Sequence, residues 1–180
     1  ELLTLGVPFF RCGLMIVDEK EEKVRFYLST PDGKPLAALN LHFESNDISS
    51  NGVKHWRKQE PYIAHWNQEE FLAFTKTLLD QQQIENPSTY QGGETPPESL
   101  TLQFIPFPQG MLYVGSAEDL TPAQIDLVKN LADTFSVAYA RYEDFKQLED
   151  AKSQIEHTLS ELKSTQSQLI QSEKMASLGE

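Results

Sequence analysis

The sequence predicts an α+β chain: an antiparallel sheet flanked by helices, continued by one long C-terminal coiled-coil helix. Three observations carry this reading. Short apolar or alternating runs are joined by tight turns, which sets neighbouring strands antiparallel. Helix-start signals stand in the middle of the chain, at Asn67, and again at Thr121. Beyond Pro122 there is no further proline and no glycine before Gly179, while apolar residues recur every seven positions, the repeat of a coiled coil.

Taken in order, Glu1 to Leu5 reads as the end of a helix begun upstream, with Gly6 as its stop and Pro8 just beyond. Phe10 to Val17 is densely apolar, as a strand covered on both faces should be, and Asp18 to Lys23 is a charged hairpin turn. Val24 to Ser29 alternates as a half-buried strand; Pro31 to Pro35 has turn composition. Leu39, Leu41 and Phe43 alternate with Asn40, His42 and Glu44, predicting a third strand. Gly52 to Gln59 reads as a short helix ended by Pro61.

A second helix starts with Asn67 as N-cap, Glu70 at N3, and Trp66 with Phe71 as hydrophobic staple. Phe71, Phe74, Thr75, Leu78 and Leu79 form its apolar face to about Gln82. Glu85 to Glu98, holding Gly92-Gly93 and Pro96-Pro97, reads as a long mobile loop. Leu100 to Ile105 and Met111 to Gly115, joined by Pro106 to Gly110, predict a hairpin. The last helix opens with Thr121 as N-cap, Pro122 at N1, Gln124 at N3, and Leu120 with Ile125 as staple. It should run ~55 residues, roughly 80–85 Å. A helix of that length needs a partner, because propensity alone does not hold it in water.

The seven-residue repeat defines the partner face. Leu148, Ile155, Leu162, Leu169 and Ala176 take heptad position d; Phe145, Lys152, Leu159, Gln166 and Glu173 then fall at a. Upstream, Val128, Leu131, Phe135, Ala138, Tyr142 and Phe145 are spaced three and four apart, and the step to Leu148 is another three. Two consecutive threes form a stammer. Either the domain face ends there and the linker face begins, or the junction is strained and transmits rotation.

Composition narrows the function classes. A net charge of −12 disfavours nucleic acid as a partner, since no basic face can neutralise phosphates. No apolar run approaches the ~18–20 residues of a membrane span. The single Cys12 excludes an internal disulfide, fits a reducing cytoplasm, and sits in an apolar run as a buried structural thiol would. No Ser-His-Asp context, zinc spacing or phosphate-binding glycine loop appears, so no catalytic residue and no metal ligand is assigned. His42, His55 and His65 are scattered without metal-ligand spacing. Glu69-Glu70 is explained by the first turn of a helix.

The final residues, Ser172-Glu-Lys-Met-Ala-Ser-Leu-Gly-Glu180, resemble the opening of the dimerization and phosphoacceptor helix of bacterial sensor histidine kinases. That resemblance implies a chain that ends ahead of the phosphoaccepting histidine; none of His42, His55, His65 or His157 stands in the matching context. Residues Leu2 to Tyr142 resemble the GAF family of sensory domains, and PAS domains share much of the pattern. The carrying stretches are Arg11-Cys-Gly-Leu-Met-Ile-Val-Asp18, Phe104-Ile-Pro-Phe-Pro-Gln-Gly-Met-Leu-Tyr-Val114 and Leu120-Thr-Pro-Ala-Gln-Ile-Asp-Leu-Val-Lys-Asn-Leu-Ala132. The signatures of the cyclic-nucleotide-binding, bilin-binding and methionine-sulfoxide-reducing members are absent.

The two resemblances imply a cytoplasmic organisation of three parts: a sensory domain over residues 1–142, a coiled-coil signalling linker over 143–171, and the start of the phosphoacceptor helix over 172–180. They imply a ligand cleft between sheet and central helices, lidded by a loop such as Glu85–Glu98 and lined by Trp56, Tyr62, Trp66, Phe71, Phe74 and Tyr90. The expected partners are a second copy of the chain, a downstream kinase domain, a response regulator and an unidentified small molecule. No cofactor is expected in this stretch; ATP and magnesium belong to the kinase domain. The alternative is a dimerization scaffold that binds another protein and no small molecule.

Overall fold

The computed structural model describes residues 2–91 and 95–177, with side chains to Met175. Among the described residues the elements run β1 (Arg11–Asp18), β2 (Lys23–Ser29), β3 (Pro35–His42), α1 (Asp47–Lys58), β4 (Tyr62–Asn67), α2 (Gln68–Asp80), α3 (Pro87–Gln91), β5 (Ser99–Phe107), β6 (Gly110–Ser116) and α4 (Pro122–Ser177). The fold is α+β. The strands form one sheet in the order β3-β2-β1-β6-β5-β4, and every neighbouring pair is antiparallel. Two meanders therefore meet at the centre, where β1 lies against β6 with Met15 opposite Met111.

Burial follows position in the sheet. Away from the centre, β2 and the edge strand β4 alternate, hiding Val24, Phe26 and Leu28 or half-hiding Tyr62, Ala64 and Trp66, while Tyr27 and Ile63 face out. Central β6 is buried along its whole length. One face of the sheet, carrying Met15, Phe26, Leu39, Leu102, Phe104 and Tyr113, packs against Ile48 and Val53 of α1, Phe71 and Leu78 of α2 and Tyr90 of α3. The opposite face of the central strands meets the first turns of α4: Phe107 stacks edge-on with Phe135 at 5.5 Å, and Ser136 donates to Gln109 at 2.8 Å. Each fully hidden aliphatic side chain contributes roughly 1.5–3 kcal/mol. Gly110 lets the β5–β6 turn lie this close to β1, since a Cβ there would stand 1.9 Å from the Met15 carbonyl oxygen.

The local signals act as read. Leu2 to Val7 closes a Schellman motif: Gly6, at φ +73, donates to the Leu3 carbonyl and Val7 to that of Leu2. Asn67 accepts from Glu70 N–H at 2.9 Å while the Glu70 carboxylate accepts from Asn67 N–H at 2.8 Å, a complete capping box. Thr121 and Gln124 make the same reciprocal pair at the head of α4.

Several boundaries differ from expectation. The first helix starts at Asp47, because Asn46 caps it by accepting from Ser49 N–H. Tyr62–Asn67, where the sequence assigns only Trp66 and Asn67, as the start of a helix, is an edge strand paired along β5. The Glu85–Glu98 stretch contains α3, and Tyr90 within it is buried; Gly92, Gly93 and Glu94 lie outside the described residues. The β5–β6 connection shrinks to Pro108-Gln109, since Pro106 and Phe107 continue the strand. On α2, Leu79 is exposed, and the buried face is Phe71, Thr75 and Leu78.

Gln59 closes α1 in the left-handed region at φ +55, with its N–H and that of Glu60 both returning to the last turn. A side chain in that conformation costs ~1–2 kcal/mol, part of which glycine returns as unfolded-chain entropy. Gln59→Gly should therefore raise stability by roughly 0.5–1 kcal/mol, read as a higher denaturant midpoint with an unchanged slope.

The chain divides into two compact units, one ending at Ser136 and one beginning at Val137, and α4 is helical through both. Within the first unit α4 buries Val128, Ala132 and Ser136. The expected stripe through Ala138 and Tyr142 is not a buried face: both are exposed. Leu131 and Phe135 of that stripe are half-buried beside Val128, Ala132 and Ser136, so the inward face of α4 holds positions 128, 131, 132, 135 and 136, one side of a helix of about 3.6 residues per turn.

Candidate functional site

Arg11 opens β1, four residues before Met15 and so on the same face of the strand. That face is the one under the helices, and it carries the guanidinium inward, leaving Arg11 3% exposed. Its Nη2 donates to the backbone carbonyls of Tyr90 at 2.7 Å and Gln91 at 3.2 Å, the C-terminal end of α3. The guanidinium carbon lies 4.9 Å from the ring centre of Phe71 and 4.8 Å from that of Tyr90. The two rings stack on each other at 5.8 Å.

Among the described residues no carboxylate pairs with this cation. Burying a charge costs several kcal/mol. Carbonyls at a helix end and desolvated aromatic faces, the latter worth ~2 kcal/mol, offset part of that cost and leave a local positive potential. The potential is directed into a cavity of about 30 Å³ bounded by Arg11, Phe26, Trp66, Phe74, Tyr90, Phe104 and Tyr113 and by the aliphatic side chains of Leu28, Leu39, Ile48, Leu100 and Leu102. That volume holds about two water molecules. Burial pushes the Tyr90 and Tyr113 phenols up, with the Arg11 charge pulling both back and a hydrogen bond from Arg11 adding to that pull at Tyr90, so each keeps its proton and can donate.

Of the aromatics expected at a pocket, Trp66, Phe74 and Tyr90 border this cavity, and Phe71 lies beneath Arg11. Trp56 instead donates its indole N–H to the Phe107 carbonyl at 2.9 Å, and Tyr62 stacks on Phe104 at 5.6 Å; neither borders the cavity. The sequence does not point to Arg11, Phe26, Phe104 or Tyr113, nor to the aliphatic residues of the lining. The available signal was parity: Arg11 shares it with Met15 in a strand expected to be covered on both faces.

The remaining candidates lie elsewhere. His42 is exposed on β3; His65 pairs with Asp119 at 2.7 Å on the surface; His55 packs on Tyr62 with its Nδ1 buried and unpartnered. Among the described residues no three metal-ligating side chains come together. Cys12 is half-buried on the opposite face of β1, 3.7 Å from the Ser29 hydroxyl, and burial pushes its thiol up, away from a reactive thiolate. Glu70 is occupied by the capping box.

A second feature belongs to the second unit. Phe145, Leu148, Ile155, Leu159, Leu162 and Leu169 are between 50% and 68% exposed, one continuous apolar seam interrupted by Lys152 and Gln166, with Glu173 beyond. The side chain of Ala176 lies outside the described residues. Scattered exposed leucines are ordinary; these recur at the seven-residue spacing of a coiled-coil sequence. Among the described residues no helix is long and apolar enough to cross a membrane. Compared with protein-family models, curated proteins and solved structures, the chain has no match in any of the three.

Proposed function

We propose that this chain is the sensory and linker module of a two-component sensor histidine kinase, with a GAF-like domain and no catalytic residues of its own. Two copies pair in parallel through α4, and the state of the sheet domain sets the packing of the pair, which a following kinase domain reads. That kinase domain holds ATP and magnesium, phosphorylates its own histidine in the cytoplasm and passes the phosphate to a response regulator. The observation that carries this reading is the exposed seam from Phe145 to Leu169. The likeness of Ser172–Glu180 to a phosphoacceptor helix gives the seam its destination.

Polar residues at Lys152, Gln166 and Glu173 each forgo a buried apolar contact worth ~1.5–3 kcal/mol, which keeps two packings close in energy. Lys152→Leu, Gln166→Leu and Glu173→Leu together, in the chain joined to its kinase, should hold autophosphorylation at one level whatever the stimulus. A triple variant that still follows stimulus as the parent does contradicts the relay.

The small volume of the Arg11 cavity favours one other reading, a dimerization scaffold that docks another protein and takes no ligand. A co-purifying small molecule, or a thermal shift with one, separates the two.

A further inference from the structure

We propose that the Arg11 cavity binds a small monocarboxylate with an apolar body, its carboxylate on the guanidinium and its body against Trp66, Phe74 and Phe104. This deepens the sensor reading by naming its ligand class. Several observations converge on it. Arg11 is buried, borders the cavity and has no carboxylate partner among the described residues. Its two hydrogen bonds to carbonyls both leave from Nη2 and the Tyr90 phenol takes one more, so the five-donor guanidinium still has donors for an incoming anion.

The cavity offers a single positive charge; the rest of its lining is apolar or aromatic, with two phenols as further donors. One cation matches a monoanion, whereas a phosphate dianion would remain half neutralised in a low-dielectric site. The net charge of −12 adds a repulsion that grows with ligand charge. Room for about two waters excludes a large body without movement. The half-buried rings of Trp66 and Phe74 form the side that yields, whereas Phe71 is fully enclosed.

The site also has a built-in readout. The same guanidinium that would take the carboxylate holds the carbonyl end of α3 through Tyr90 and Gln91. Neutralising Arg11 weakens its hold on those carbonyls, so occupancy and the position of α3 are linked through one side chain. If Arg11 serves only to fasten α3, charge on a ligand will make no difference.

The test is calorimetric titration of the full chain with butyrate, benzoate and phenylacetate, each against its neutral amide, and with inorganic phosphate. At least one carboxylate should bind once per chain and at least tenfold tighter than its amide, with phosphate silent. Arg11→Met should bring carboxylate and amide to equal affinity, and Arg11→Lys should keep part of the difference. Should Arg11→Met fail to fold, the carboxylate-to-amide ratio on the parent chain decides by itself. Equal affinity for acid and amide, no carboxylate bound at millimolar concentration, or a folded Arg11→Met that binds undiminished overturns the proposal. Sedimentation of the same samples keeps the two readings apart. A dimer that ignores every carboxylate refutes this inference alone; a monomer that binds benzoate at Arg11 refutes the relay and leaves this site standing.

Discussion

Replacing Ile155 and Leu162 with aspartate should convert the chain from dimer to monomer at every accessible concentration. Both residues occupy position d, and both are more than 60% exposed on the single chain. Pairing would hide them, and each hidden contact is worth ~1.5–3 kcal/mol. Two positions in two copies amount to roughly 6–12 kcal/mol, before the cost of opposing four carboxylates across one seam. The dissociation constant should rise by at least ten-thousandfold, at ~1.4 kcal/mol per decade. Thermal unfolding of the sheet domain should hardly change, because neither side chain belongs to its core. Sedimentation equilibrium measures the first quantity and circular dichroism the second. Equal masses for parent and variant would show that the seam is not the contact.

Phe71→Ala should be the most damaging single change in the sheet domain. Phe71 is fully enclosed, stacks on Tyr90 at 5.8 Å and supports the Arg11 guanidinium at 4.9 Å. Truncating a buried phenylalanine costs about 3–5 kcal/mol, part of it for the cavity left behind. For a domain of this size that is a fall in melting temperature of roughly 10–20 °C. The same change removes one of the two rings that share the buried cation, so Arg11 loses part of what offsets its desolvation. Differential scanning calorimetry reads the loss. A fall under a few degrees would mean that neighbouring side chains collapse into the space and that the Phe71–Tyr90–Arg11 stack carries little.

Legibility in the sequence tracked how local each interaction is. The caps at Asn67 and Thr121 and the stop at Gly6 are settled by residues three to five apart, and the long helix by the lack of any proline or glycine after Pro122 up to Gly179. The edge strand β4 was hidden because Trp66 and Asn67 also fit a helix start, and only pairing with β5 makes them strand. The helix α3 was masked by the glycines and prolines around it; burial of Tyr90 against Phe71 gives the segment a core contact that composition does not reveal. Arg11 stands out in the sequence only as the one charged residue between Phe10 and Val17. Its meaning comes from contacts about 80 positions away, at Tyr90 and Gln91, which no window reaches. Trp56 and Tyr62 were reasonable choices by residue type, yet a backbone carbonyl and the Phe104 ring claim them. The same limit applies on α4: by sequence the domain face runs from Val128 to Phe145, whereas the fully buried residues end at Ser136.

The central claim, parallel self-pairing of α4 in register, is tested most directly by disulfide trapping. With Cys12→Ser removing the one native thiol, Leu162→Cys places a sulfur at position d and Ser164→Cys places one on the outer face. In a parallel, in-register pair the two Cys at 162 face each other and should oxidise quantitatively to a covalent dimer, while those at 164 stay apart. Monomer at 162 after oxidation, or equal cross-linking at 162 and 164, would contradict the account.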